Sequence, residues 1–431
     1  MCDKSRFKTG LLPDHLPSKL SISFWHHWLY RAQPGAPYAD LERCVLGLQE
    51  RGFNAVRVNV PLTYAFRLDG TPRGPIEFEP PFPGYTHAID KGTGGQRDVL
   101  ERLIHLLELA RKHDVWVIFT DWEYQNSTCV KDPAVHADMA AVADERRFLY
   151  LAQHHDRLLT ILKAKGLTER IAFVEIHNEA ECSALPQGAE GKRLHEEAIA
   201  FLRTRHPDIL VSADFTRHDY TVVPDNAQVF DQHIYAGIVW HISLYKQTIF
   251  DPAVDLHNPY AFEPLRRVLK EEIIPFDAFK AAFGAKTMRN QKVTDQWVKR
   301  RWLWENLDVH GWDAFMAETF PEWKDRIWEK ADRHFAEDTA EGQRRGLPLV
   351  MDEGGFFWPP PNSRWELTAD GISLFDHFAD LAIQHGYWGF MPGTYCGPEH
   401  ILWRERPDCL RKINIRFQKG RIGEPADADD A

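Results

Sequence analysis

Ile171-Ala-Phe-Val-Glu-Ile-His-Asn-Glu179 is the stretch on which the fold turns. Successive side chains of a strand point to opposite faces. Ala172, Val174 and Ile176 therefore make one apolar face suited to packing on helices, leaving Phe173, Glu175, His177 and Glu179 on the other. Two carboxylates and an imidazole are costly to desolvate, so they must be paired or placed at a wet edge. An inner face of this kind suits a barrel wall, with Glu179 at the C-terminal mouth and Glu175 one layer deeper, in need of a partner.

Seven further strand-like runs surround this one: Leu20–Trp25, Ala55–Val60, Trp116–Thr120, Ile209–Asp214, Val229–Ile234, Leu349–Asp352 and Tyr387–Met391. Between them lie segments of helical period, at Ala39–Arg51, Arg97–His113, Asp144–Lys165, Lys192–His206, Trp323–Arg345 and Ala369–His385, with Pro407–Phe417 after the last strand. Strand-then-helix alternation predicts parallel strands joined by crossovers. Eight units without a Gly-rich phosphate loop after the first strand favour an α/β fold of the (β/α)8 TIM-barrel kind over an open doubly wound sheet.

The barrel is expected to occupy 20–419, after an N-terminal segment 1–19 and before a disordered acidic tail 420–431. Two connections exceed what a minimal barrel needs: Pro61–Gln96 after strand two, and a largely helical insertion at about 236–347 after strand six, including Asp295–Lys330. Both leave from strand C-terminal ends and are expected to shape a pocket. Their plainer use is added bulk or, for the second, a homo-oligomer contact.

Composition narrows the function. The 431 residues carry 63 acidic and 52 Lys+Arg side chains, a formal charge of −11, which argues against a nucleic-acid partner. No run of 18 apolar residues suggests a membrane span, and the first twenty lack the apolar core of a secretory signal, so a cytoplasmic location is expected. The six cysteines are widely spaced with no C-x-x-C pair and read as reduced structural thiols. Fifteen Trp demand either a core or a flat ligand to cover them.

Strand two, Ala55-Val-Arg-Val-Asn-Val60, turns its valines to the helices and points Arg57 and Asn59 inward, where Arg57 can pair bidentately with Glu175. Strand seven, Leu349-Val-Met-Asp-Glu353, ends in two carboxylates of opposite facing followed by Gly354-Gly355; if Leu349 and Met351 face inward, so does Glu353, and Asp352 is structural. Gly354-Gly355 lets the chain turn beside a ligand. Strand six places His233 and Tyr235 on one face. Carboxylates at the ends of strands four and seven face each other across the mouth. Glycoside hydrolysis needs such a pair, one group protonated to assist the leaving oxygen and one ionised to attack the anomeric carbon or activate water.

Asn178-Glu179, Arg57, His233-x-Tyr235 and Glu353, in this order at barrel spacing, resemble the clan A glycoside hydrolases, specifically the cellulase-like, family-5-like members. The resemblance spans about Ser21 to Trp403 and implies retaining hydrolysis of a carbohydrate substrate with Glu179 as acid/base and Glu353 as nucleophile, without metal or cofactor. It also implies that Asn178 bonds the sugar 2-hydroxyl, Arg57 supports the nucleophile, Tyr235 positions Glu353 and His233 lines the catalytic subsite. Two departures leave the sugar open. Strand three ends Thr120-Asp-Trp-Glu123 where the family commonly has a sugar-contacting His, so Asp121, Trp122 or Glu123 takes that place. Strand eight puts Phe390 or Met391 where a Trp platform is usual, with Trp388 two residues early. His27 shares parity with Trp25 and is a candidate to face the pocket. Trp25, Trp28, Trp122, Trp358 and Trp388 are candidate sugar platforms; the Trp of the insertion suit helix packing or an oligomer face.

Two other functions use the same residues. A metal-dependent sugar isomerase would ligate divalent ions through Glu175 or Glu179, Asp214, His233 and Glu353. A non-catalytic carbohydrate-binding barrel would keep the platforms but has no use for both Glu179 and Glu353. With no leader, exo action on small β-glycosides or oligosaccharides is expected, the strand-six insertion walling off one end of the cleft.

Overall fold

The computed structural model describes residues 12–78, 94–122, 130, 132–183, 185–235, 255–283, 298–299, 302–355, 360, 362–393 and 396–420. Eight parallel strands close into a barrel in chain order: β1 Leu20–Trp25, β2 Ala55–Asn59, β3 Trp116–Thr120, β4 Ile171–Glu175, β5 Val211–Phe215, β6 Phe230–Gln232, β7 Leu349–Met351 and β8 Gly389–Phe390. Every pairing between neighbours is parallel, and β8 returns to β1 through Leu20 opposite Gly389 and Ser21 opposite Phe390. Closure leaves no sheet edge, so the expected (β/α)8 fold is the one observed.

Seven helices cross or seal the outside: α1 Leu41–Glu50, α2 Val99–Lys112, α3 Arg147–Ala164, α4 Gly188–Arg205, α5 Val309–Arg345, α6 Ala369–Gln384 and α7 Pro407–Lys419. They start where the sequence supplies caps. Asp40, Asp98, Asp308 and Thr368 each accept from a backbone N–H of the following first turn. In α1 the inward stripe is Leu41, Cys44, Val45 and Leu48, the spacing of one helical face.

Two expectations change. The β5–β6 connection, residues 216–229, holds no helix. Pro224-Asp-Asn breaks the period, and the loop is tied instead to α5, where Asp338 accepts from Tyr220 Oη at 2.7 Å and lies 2.9 Å from His218 Nδ1. Arg345 of α5 adds bonds to the carbonyls of Tyr220 at 3.0 Å and Pro224 at 3.3 Å. The barrel's sixth helix and the helical end of the insertion are one 37-residue element, α5, running through Pro321. The insertion packs beside the loop after β7, where Asp313 accepts from Ser363 Oγ at 2.6 Å and Arg364 N–H at 2.8 Å.

In the connection after β2, Pro75–Phe78 pairs antiparallel with Gly95–Asp98. The thiols of Cys44, Cys182, Cys396 and Cys409 are free; Cys2 and Cys129, like the tail 421–431, lie outside the described residues. Among the described residues no helix is long and apolar enough to cross a membrane.

Candidate active site

The site is built around Arg57, in the middle of β2 and buried inside the barrel. Its Nη2 donates to Glu175 Oε2, Asp214 Oδ2 and Asn178 Oδ1, each at 2.7 Å, and its Nη1 donates to Glu353 Oε2 at 2.9 Å. Nε donates to the same Glu175 oxygen at 3.1 Å and lies 3.0 Å from Asp352 Oδ2. The expected Arg57–Glu175 pair is present, but both N–H groups meet one oxygen, and the guanidinium serves these five side chains from three strand ends. Only a planar fork with five donors can do this; a lysine ammonium cannot.

So many acids around one cation cannot all ionise. Burial, together with the charges of Asp352 and Asp214, raises Glu175 well above the ordinary carboxylate range despite Arg57, which favours its protonated form. Asp231, on the inner face of β6, is raised well above it by burial and then by Asp352. Asp352 goes the other way: burial opposes its charge, but Arg57 and hydrogen bonds from His233 and Glu175 outweigh it and hold it down at about 2.

His233 follows β6 and lies buried among carboxylates. Its Nδ1 is 2.7 Å from Glu179 Oε1 and 3.9 Å from Glu353 Oε2, while Nε2 is 3.3 Å from both Asp214 Oδ2 and Asp352 Oδ1. Burial disfavours the imidazolium, but Glu353, Asp214, Asp352 and Glu179 together raise His233 well above the ordinary imidazole range.

Glu179 stands just past β4 with a left-handed backbone, φ 42° and ψ 57°, a conformation that costs a non-glycine residue about 1–2 kcal/mol. Its N–H donates to Asp214 Oδ1 at 2.9 Å. Glu353 accepts a hydrogen bond from Tyr235 Oη. Burial and Glu179 raise Glu353 to about 7, against the pull of His233 and Arg57. A carboxylate oxygen of Glu179 lies within 4.8 Å of one on Glu353. The arrangement can hold one carboxyl protonated and one ionised across a short gap.

Strand seven differs from the expected facing. Leu349 points outward against Gly342 of α5, since a Cβ on that glycine would meet Leu349 Cδ2 at 2.3 Å. Strict alternation would then turn Asp352 inward and Glu353 away. The strand ends at Met351, however, and the turn through Gly354 and Gly355 brings both carboxylates to Arg57. The glycines bring the turn close to the end of β6: a Cβ on Gly354 would lie 2.5 Å from Ile234 O, and Gly355 N–H bonds that same carbonyl at 2.8 Å. They lock β7 to the end of β6.

Other candidates are held elsewhere. Trp388 precedes β8, at the end of the barrel opposite the mouth, where its Nε1 donates to Pro17 O at 3.0 Å and its ring meets Phe173 at 6.0 Å. It closes the barrel floor and is no platform, because the strand starts at Gly389 and leaves Trp388 before its first residue. Trp122 is buried against His26 and Phe24, with ring centroids at 4.2 and 5.7 Å. Trp25 packs on Tyr38, and Trp28 Nε1 donates to Asn59 O at 2.7 Å. No described Trp at the mouth leaves a face open, and Trp358 and Glu123 lie outside the described residues. Asp121 ties loops together, accepting from Leu62 N–H at 3.1 Å through its side chain and from Asn178 N–H at 2.8 Å through its carbonyl. His27 sits 3.1 Å from Glu399 Oε1, and Arg31 donates to Glu399 Oε2 at 2.8 Å. Of the insertion's Trp, Trp302 and Trp312 are core residues, as helix packing requires.

Sequence reasoning missed Asp352, Asp231 and Glu399 as members of the mouth. The period-two rule that selected His233 and Tyr235 also selects Asp231, two residues earlier. Glu399, on a loop, carries no such signal.

Two triads bring ligand atoms within 4.8 Å of one another, Glu179 with His233 and Glu353, and Asp231 with His233 and Asp352. Both need His233, and a metal ligand must be neutral imidazole. Here the surrounding carboxylates favour the imidazolium, and Arg57 already supplies a second cation at 2.9–3.0 Å. The donor set fits protons better than a divalent ion.

No protein-family profile matches the chain, and no curated protein matches it in sequence. Solved structures do match it. A candidate glycoside hydrolase from Parabacteroides distasonis superposes with a TM-score of 0.64 at 16% identity, covering 96% of this chain and 97% of that one. A GH5-4 broad specificity endoglucanase from Clostridium acetobutylicum gives 0.48 at 13% identity, covering 96% and 99%. A glycoside hydrolase family 5 mannosidase from Rhizomucor miehei gives 0.47 at 12% identity, covering 94% of each. At such identities the likeness is one of fold, and the first match carries it over almost the whole length of both chains.

Proposed function

We propose that this chain is a retaining glycoside hydrolase acting on β-linked glycosides, with Glu179 as acid/base and Glu353 as nucleophile. The observation that carries it is the gap between the two: carboxylate oxygens within 4.8 Å of one another suit direct attack at the anomeric carbon, near the 5–5.5 Å of retaining enzymes. An inverting enzyme needs about 6.5–9.5 Å to admit a water. Tyr235 and Arg57 hold Glu353 from two sides, as an attacking group requires.

In the first half, Glu179 gives its proton to the glycosidic oxygen while Glu353 bonds C1 and the old C1–O bond breaks. In the second, Glu179 takes a proton from water as its oxygen attacks C1 and releases Glu353. Asn178 turns Oδ1 to Arg57, which leaves its buried Nδ2 without a partner and free to donate to a sugar hydroxyl. The Asp313 contacts that fasten the insertion beside the β7 loop support a cleft closed at one end and exo action on small glycosides.

A panel of aryl β-glycosides of glucose, mannose, galactose, xylose, fucose and glucosamine, assayed on the wild type and Glu353→Gln with and without EDTA, tests this. Hydrolysis of at least one substrate, insensitive to EDTA and abolished in Glu353→Gln, is expected. Activity lost with EDTA and restored by Mn or Mg would favour the metal-dependent isomerase class instead.

A further inference from the structure

His233 meets four carboxylates from three strand ends. Glu179, after β4, faces Nδ1 at 2.7 Å, with Glu353, after β7, at 3.9 Å; Asp214 of β5 and Asp352, after β7, face Nε2 at 3.3 Å. The other charged or titratable groups packed around it are Arg57 from β2, Glu175 from β4, and Asp231 and Tyr235 from its own strand. A ring whose two nitrogens both face carboxyl oxygens favours the doubly protonated imidazolium.

The two carboxylates below the ring differ. Asp214 has both oxygens engaged, Oδ1 by the Glu179 N–H at 2.9 Å and Oδ2 by Arg57 at 2.7 Å. Asp352 turns Oδ2 to Arg57 Nε and leaves Oδ1 facing His233. We propose that Asp352 is a positioning residue that acts through His233, holding a proton on Nε2 so that Nδ1–H points at Glu179 and stabilises the charge left there when its proton goes to the leaving oxygen.

This rests on the assignment of Glu179 as acid/base. His233 itself neither gains nor loses a proton in the cycle: the proton moves from Glu179 to the glycosidic oxygen and returns to Glu179 from water. Asp352 is suited to the role because Arg57 Nε, 3.0 Å from its Oδ2, and the facing His233 outweigh burial and favour its ionised form.

The sign for a variant follows. In Asp352→Asn the ring loses an anion and releases its proton at lower pH. Glu179 then loses the cation beside it, and the falling limb of kcat/KM is expected to move to higher pH by about one unit. A purely structural role for Asp352 would lower the rate and leave the limb in place. Asp352→Glu, which restores the charge, should bring the limb back.

The ring is read directly by NMR of the full chain carrying 15N-histidine, with the His233 signals assigned by their loss in His233→Gln. Both ring nitrogens of the wild type should stay protonated from pH 5 to 8, and in Asp352→Asn the ring should titrate inside that range. A wild-type His233 that is neutral at pH 7 overturns the proposal, even if Asp352→Asn does not fold. So does a folded Asp352→Asn with an unaltered ring titration and limb. Because the ring titration needs no substrate, its failure stands apart from a failure of the glycosidase assignment.

Discussion

Asp214 fastens the backbone of Glu179: its Oδ1 accepts the Glu179 N–H at 2.9 Å, while Oδ2 is held by Arg57 at 2.7 Å. The bond pins a left-handed residue in place and so sets where the Glu179 carboxyl points. Asp214→Asn loses the charge on which both contacts depend. A fall of about ten- to hundredfold in kcat/KM is expected with the fold retained by circular dichroism, since small misplacements of a reacting group have effects of that size. A folded variant within twofold of wild type would show that Glu179 does not need this anchor.

Removing the acid should hurt some substrates more than others. Glu179→Gln is expected to lose about 10²–10⁴ in kcat on aryl glycosides with poor leaving groups and far less on dinitrophenyl glycosides, which need no proton. Azide should restore turnover of the latter by forming a glycosyl azide. An equal loss across leaving groups, with no azide product, would place the acid elsewhere.

Glu353 must be ionised to attack, and burial with the nearby Glu179 raises it to about 7. Activity should therefore rise with pH along a limb near neutrality, well above the usual carboxylate range. The Tyr235 hydroxyl supports the ionised form. Tyr235→Phe should move this limb to higher pH and lower kcat, as pH profiles of kcat/KM would show. A rising limb at pH 4–4.5 in both proteins would contradict the environment described for Glu353.

Stability should be lost sharply in acid. Burial holds His154, His155 and His195 at about 3 and His177 at about 4, so the unfolded chain binds protons at these groups from about pH 6.5 downward while the fold resists. Each such group removes up to about 1.4 kcal/mol per pH unit. Between about pH 6.5 and 4.5 the raised carboxyls Glu175, Asp231 and Glu353 oppose this, because the fold holds their protons more tightly than the unfolded chain does. Below about pH 4.5 the unfolded carboxyls are protonated too. The histidines then act together with Asp352 and Glu399, both held down at about 2. Urea midpoints should change little down to about pH 4.5 and then collapse. A midpoint retained at pH 3.5 would contradict the buried neutral histidines.

The barrel is legible because alternation is a local signal: β1 and β3 fall on the expected residues, and the other strands start and end within two of theirs. Arg57, Glu175, His233 and Tyr235 came from the same period-two rule. Where a strand stops, the rule stops. Asn178, Glu179, Asp352 and Glu353 all lie beyond the last paired residue of their strands, and their directions are set by a left-handed residue and a glycine turn. Asp352 was assigned a structural part for that reason. Trp388 shows the same limit at the other end of a strand: it lies before the first paired residue of β8, where alternation no longer fixes its place. That Arg57 serves these five partners could not be read from spacing, because it depends on three strand ends converging on β2.

Covalent capture tests the central assignment most directly. An activated 2-deoxy-2-fluoro-β-glycoside of the sugar the enzyme prefers should inactivate it with one adduct per chain, and peptide mass spectrometry should place that adduct on Glu353. A label on Glu179 or Asp352, or hydrolysis with inversion and no adduct, would contradict the assignment of Glu353 as the attacking group.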